Sequence, residues 1–288
     1  MDEHLKQLKY LEEQINNNND YIVNNNNNID KIVIILGEST QRNYMSIYDY
    51  KIKTTPNLEK FKSNGNLFVF NDVISPHTHT NPSIAKILTF SNYENDSTKW
   101  FYQKNLINIM KKAGYYTYWI SNQESISSLG NAPQALARLC DKNIFFDNFS
   151  NGNSVFKDEV ILDELKKISR CQKEFFILHL QGTHMDYSKR YNSSFNIFNP
   201  NDLEKYNLNL LNSKQKLTNK QALVKSNYLN AILYNDFIVS EIFNYFKNDN
   251  SIVFYFSDHA DEVYDFRNFF GHTETMLSRY MVEIPFMI

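Results

Sequence analysis

Four short polar clusters carry most of the residue types that could do chemistry: Gly37-Glu38-Ser39-Thr40, Gln181-Gly182-Thr183-His184, Asp258-His259 and Gly271-His272-Thr273-Glu274. Glu, Asp and His together make a hard-to-borderline donor set suited to zinc or manganese. Each has a plainer reading when taken alone. Glu38 could cap a helix, where a carboxylate favours the dipole, and Asp258-His259 could be a surface turn. His184 and His272 are individually ambiguous. His179, inside the apolar run FFILHL, reads as a core histidine, His77 as a loop residue and His4 as part of a tail. The clusters follow apolar runs one after another, and this joint placement is what favours a metal site.

The segment from Ser75 to Thr89 supplies a nucleophile candidate, Thr80, which precedes Asn81-Pro82-Ser83 and a helical pattern. Pro suits a first helical turn and Thr a cap, so Thr80 could simply cap that helix. A hydroxyl at a helix N-terminus is also placed to attack a phosphate, because exposed N–H groups and the dipole favour anionic charge there. A bound zinc ion would lower the pKa of such a hydroxyl.

These residues need a scaffold that gathers them. KIVIIL from Lys31 is a continuous β-branched run, the pattern of a strand buried on both faces. Similar runs occupy Tyr115–Ser121, Glu174–Leu180 and Ser251–Ser257, and VEIPFMI at the end reads as one more strand. Helical patterns lie between them at Asn57–Lys62, Lys104–Ala113, Ser154–Ile168 and about Asn219 to Phe246. The alternation predicts an α/β fold with a mostly parallel central sheet flanked by helices on both faces, with the site at the carboxyl ends of the strands. The polar stretch Tyr187–Thr218 reads as a long loop over the sheet edge. The chain stops inside its last strand, which suggests an incomplete C-terminus or a short sheet edge.

Residues 1–30 differ in kind: a charged segment that could be helical, then two asparagine runs of the sort that form tethers. The domain proper is expected over 31–288. With 288 residues and 15% aromatics, there is material for one large core. A net charge of −2 speaks against non-specific nucleic-acid binding. Cys140 and Cys171 suggest no disulfide framework. They read as small apolar fillers, with a single bridge between them left open. No stretch reaches the roughly 18 apolar residues of a spanning helix.

In order along the chain, ILGESTQRNYMSIYDYKIKTTPNLEKF, THTNPSIAKILTFSN, YTYWISNQES, HLQGTHMDYSKRY, YLNAILYNDFIVSEI, FYFSDHADEVYD and EIPFMI resemble the soluble domain of phosphoethanolamine transferases in the sulfatase/alkaline phosphatase superfamily. GESTQR, the SNQ segment and the YFSDH run look like the branch that modifies the lipopolysaccharide core heptose, rather than the lipid A branch. The resemblance implies an alkaline phosphatase-like fold and one or two zinc ions held by Glu38, Asp258, His259 and the nucleophile Thr80. It further implies that His184 and His272 bind the substrate phosphate or a second zinc, with Asn122 and Gln123 near the phosphoethanolamine pocket. The implied reaction takes phosphoethanolamine from phosphatidylethanolamine to lipopolysaccharide through phosphothreonine. Its setting would be the periplasmic face of the bacterial inner membrane, with the protein a monomer.

Sulfatases carry a C-x-P-S-R pattern whose Cys or Ser becomes formylglycine. Thr80 through Ile84 departs from it at both ends, so sulfate chemistry is disfavoured. The chain also departs from the transferases. Ala260 stands where they have Gly, Asp261 where they have Glu, and the several N-terminal membrane helices of relatives are lacking, as are the disulfides of the lipid A branch. A phosphoglycerol transferase or phosphodiesterase of the same superfamily, or a truncated non-catalytic relative, are the rival readings.

Overall fold

The structure, a computed structural model, describes residues 9–10, 13, 21–125, 132–146, 157–212 and 214–288. Along the chain the strands are β1 (Lys31–Gly37), β2 (Val69–Phe70), β3 (Tyr116–Ser121), β4 (Lys142–Phe145), β5 (Glu174–His179), β6 (Leu210–Leu211), β7 (Gln215–Lys216), β8 (Ser251–Ser257), β9 (Glu262–Val263), β10 (Phe270–Gly271) and β11 (Phe286–Met287). The helices are α1 (Pro56–Ser63), α2 (Thr80–Ile87), α3 (Leu106–Lys112), α4 (Ala132–Ala137), α5 (Glu159–Leu165), α6 (Pro200–Lys205) and α7 (Asn219–Phe246).

Seven strands form the central sheet in the order β2-β11-β8-β1-β5-β3-β4. The pairs from β8 through β4 are all parallel, while β11 runs antiparallel to both β8 and β2. Alternate residues of β1 feed two cores. Val33 and Ile35 pack with Leu58 of α1, Ile161 and Leu165 of α5, and Tyr228, Ile232 and Phe246 of α7. Ile34 and Leu36 pack with Ile84 of α2, Ile107 and Met110 of α3, and Leu136 of α4. Burying each large apolar side chain is worth about 1.5–3 kcal/mol, so a strand hidden on both faces must be apolar at every position. The long helix α7 begins at a capping box, in which Thr218 and Gln221 satisfy each other's backbone N–H.

The register decides where the polar clusters emerge. Gly37 lies opposite Ser257, Leu36 opposite His179, and Ser121 opposite His179. The residues next in sequence, including Glu38, Asp258 and Asn122, therefore leave the sheet at one edge, at the carboxyl ends of the parallel strands.

Several expectations need correction. The stretch 187–218 is not a loop over the sheet edge. It holds 3-10 turns at Tyr187–Lys189 and Ser193–Phe195, helix α6 and the β6–β7 hairpin. Tyr187, Tyr191, Leu203, Leu211 and Leu217 bury themselves in the core beside α7, and Asn230 of α7 accepts from the N–H groups of Ile197 and Phe198. Their irregular spacing among asparagines hides this in the sequence. The final strand, two residues long, lies between β8 and the equally short β2, so this edge of the sheet is short, as one of the two readings of the chain's end had it. The helix expected over 154–168 is observed over Glu159–Leu165, and its expected first residues, 154–156, lie outside the described residues. Of the charged N-terminal segment, only Lys9, Tyr10 and Glu13 are described, all helical; His4 lies outside. Residues 21–30 have no regular secondary structure but lie against the domain, with Asn25 Nδ2 donating to the Ala113 carbonyl and the Tyr115 hydroxyl to that of Ile29. Both cysteines are free. Cys140 is buried, but Cys171 is exposed and so is no core filler. Among the described residues no helix is long and apolar enough to cross a membrane.

Candidate active site

Glu38 leaves the end of β1, and its backbone is fixed from several sides. Ser39 takes a left-handed conformation with φ 59°, uncommon for a residue with a side chain. The Ser39 carbonyl accepts from the Tyr228 hydroxyl at 2.7 Å. The Glu38 carbonyl accepts from Thr183, both N–H and hydroxyl, at 3.0 Å each. Gly182 makes that approach possible. Its φ is +49°, and a Cβ there would stand 2.9 Å from the Glu38 carbonyl oxygen. The same loop is tied from the other side by buried Asp158, whose carboxylate accepts from the N–H groups of Gln181 and Gly182 and from Asn122 Nδ2.

Thr80 is the first residue of α2, and the capping position belongs to His79, which makes no side-chain cap bond. The plain capping role for Thr80 is thereby replaced. Its hydroxyl donates to Glu38 Oε2 at 3.0 Å and lies 3.3 Å from His259 Nε2. His259 Nε2 is also 3.0 Å from Glu38 Oε1 and 3.5 Å from Asp258 Oδ2. Residues from β1, α2 and the end of β8 thus meet at one point, although Glu38 and Asp258 are far apart in sequence.

The electrostatics there are severe. Glu38, Asp258 and His259 are 1%, 0% and 0% exposed. Burial opposes the charge on Glu38, but the adjoining His259 overcomes it and holds the carboxyl well below its ordinary range. Burial, then the Glu38 charge, pushes Asp258 up to about 8. Burial disfavours a proton on His259, but the Asp258 and Glu38 carboxylates more than offset this and raise it to about 10. Two buried carboxylates facing each other demand a cation, and a proton on His259 is what the side chains alone provide.

The donor set fits a divalent ion. One ligand atom from each of Glu38, Asp258 and His259 lies within 4.8 Å of the others, and Asp258 Oδ2 is a buried oxygen with no hydrogen-bond partner. Two carboxylates and an imidazole are a hard-to-borderline set that zinc accepts, with the Thr80 hydroxyl in position for a fourth bond.

The remaining expected residues fall at different distances from this centre. Gln123 reaches it, with Nε2 3.4 Å from Glu38 Oε2 and 2.9 Å from the Leu180 carbonyl. Asn122 is buried; its Nδ2 donates to Asp158, while its Oδ1 has no hydrogen-bond partner. His184, half-buried, acts on Glu38 through its charge. The His272 ring lies 4.2 Å from that of His259, and its Nδ1 is 2.7 Å from Asp261 Oδ1. His179 is fully buried beside Ser121, and burial lowers it to about 4, the behaviour of a neutral core histidine. His77 and His79 both approach Glu274, at 3.5 and 3.6 Å. Ala260 is not among the residues with positive φ, so its Cβ costs the backbone nothing. Asp261, noted in the sequence only as a shortened acid, accepts from the buried Tyr187 hydroxyl at 2.7 Å. Its place two residues beyond Asp258-His259 was a usable signal, whereas Tyr187 carries none that sets it apart from neighbouring tyrosines.

Comparison with known proteins adds an independent line. The sulfatase family model matches residues 30–288. The phosphoethanolamine transferase EptC of Escherichia coli K12 is 33% identical over 264 residues, 89% of this chain and 44% of that protein. The phosphoethanolamine transferase CptA of Salmonella typhimurium is 32% identical over 265 residues, with the same coverage of 89% and 44%. The chain therefore spans less than half the length of these curated relatives. Among solved structures, the C-terminal periplasmic domain of EptC from Escherichia coli, in complex with zinc, superposes with a TM-score of 0.80 at 31% identity. That match covers 93% of this chain and 74% of that one.

Proposed function

The chain belongs to the sulfatase family, and we propose that residues 31–288 form the catalytic domain of a zinc-dependent phosphoethanolamine transferase, with the asparagine-rich stretch before it as a tether. The donor is phosphatidylethanolamine and the acceptor a sugar hydroxyl of lipopolysaccharide. The site of action is the periplasmic face of the inner membrane, and the domain works as a monomer. The names of its relatives support the reaction class, and the zinc complex of a similar domain supports the metal. The observation that carries the reading is the Thr80 hydroxyl, 3.0 Å from Glu38 Oε2 at the N-terminus of α2.

When bound, the zinc ion acts as a Lewis acid that lowers the pKa of the Thr80 hydroxyl. Thr80 Oγ1, held at Glu38 Oε2, gives up its proton to solvent and forms a bond to phosphorus. The bond from phosphorus to the glycerol oxygen breaks, and diacylglycerol leaves with a proton from a site histidine, His272 or His184. The N–H groups at the start of α2 face the phosphate oxygens. In the second step a sugar hydroxyl attacks phosphorus, gives its proton to that histidine, and Thr80 departs with its own proton restored. Two inversions give net retention at phosphorus.

The test is mass spectrometry of the zinc-loaded protein after exposure to vesicles that contain both phosphatidylethanolamine and phosphatidylglycerol. A phosphoethanolamine adduct on Thr80 is expected, absent in Thr80→Ala, which still binds zinc, though more weakly. Transfer by Thr80→Ala at the wild-type rate would exclude the mechanism, and a phosphoglycerol adduct would reassign the donor.

A further inference from the structure

Asp261 is fully buried, and each of its carboxylate oxygens has one partner. Oδ1 lies 2.7 Å from His272 Nδ1, and Oδ2 accepts from the Tyr187 hydroxyl at 2.7 Å. Tyr187 is itself buried, edge-on to Tyr228 with ring centroids 4.7 Å apart. The Tyr228 hydroxyl donates to the Ser39 carbonyl and accepts from the Gln41 N–H. A continuous set of fixed contacts thus runs from the loop that carries Glu38 to the ring of His272. Nothing else among the described residues hydrogen-bonds that ring, which follows the two-residue strand β10.

We propose that Asp261, pinned by Tyr187, is a positioning residue that fixes the ring orientation and tautomer of His272, leaving Nε2 turned to the reacting phosphate. A carboxylate at Nδ1 keeps the proton there and leaves Nε2 as the nitrogen that exchanges protons with substrate. Burial and the Asp261 charge push the Tyr187 hydroxyl well up, so it remains a donor throughout. The catalytic consequence rests on the transferase reading, whereas the ring geometry does not.

Long-range 1H–15N correlation spectra of the zinc-loaded, histidine-labelled protein read the tautomer directly. Neutral His272 is expected as the Nδ1–H form, with Asp261→Ala moving it towards Nε2–H and Tyr187→Phe, which keeps the tyrosine's shape, doing so in part. The rate of phosphothreonine turnover should fall about 10–100-fold in Asp261→Ala, with KM little changed. Wild-type His272 in the Nε2–H form, or a tautomer indifferent to both substitutions, would overturn the proposal. So would a second equivalent of zinc that Asp261→Ala removes, which would make Asp261 a ligand. A tautomer shift in a protein that transfers nothing would sink the transferase reading and leave the positioning role standing.

Discussion

Glu38, Asp258 and His259 compete for one another's charge inside a volume that water does not reach. With His259 raised to about 10 and Asp258 to about 8, the metal-free site holds protons at neutral pH that a zinc ion must expel, because imidazole and carboxylate bind metal only when deprotonated. Zinc affinity should therefore rise with pH from 6 to 9, with about one to two protons released per ion near pH 7. Isothermal titration calorimetry in buffers of different ionisation enthalpy measures that number. Release of no protons would mean that the ion binds elsewhere. Glu38→Gln and Asp258→Asn should each weaken zinc binding while leaving the sheet intact, since neither side chain packs in an apolar core.

At the scale of elements, the site depends on loops being pressed together just beyond the strand ends. The turn after β5 touches the turn after β1 only because Gly182 has no side chain, and its φ of +49° is one that a Cβ disfavours. Gly182→Ala should cost about 1–3 kcal/mol from backbone strain alone, read by urea denaturation. Because the displaced backbone is that of Glu38, zinc affinity should fall with it. A loss of stability with unchanged zinc affinity would show that this turn does not set the ligand's position. Helix α2 contributes differently: its first residue turns its hydroxyl to Glu38 and its cap position makes no side-chain capping bond, so local helix stability is yielded where the side chains of the site converge.

For the whole molecule, the ion would join three segments that are distant in sequence: the ends of β1 and β8 and the start of α2. A ligand that binds only the folded state stabilises it by about 2.7 kcal/mol at a hundredfold excess over Kd. In a domain of this size that corresponds to roughly 5–10 °C in Tm. Differential scanning fluorimetry before and after EDTA should show this loss and its recovery with zinc. An unchanged Tm would argue against a metal that bridges these segments.

The sequence by itself determined the architecture. Continuous β-branched runs must be buried on both faces, and that demand forced the parallel sheet, the flanking helices and the appearance of Glu38 and Asp258 at strand ends. It could also single out Thr80, through the proline that follows and the helical pattern beyond. It could not show that Tyr187–Thr218 packs against α7, because five apolar residues scattered among asparagines have no period. Nor could it set Asn122 apart from Gln123: two neighbours on one loop point different ways, one to Asp158 and the other to Glu38. Only the tertiary structure joined Tyr187 and Asp261 to His272, because strand register and loop closure, which depend on contacts between remote segments, decide which side chains meet.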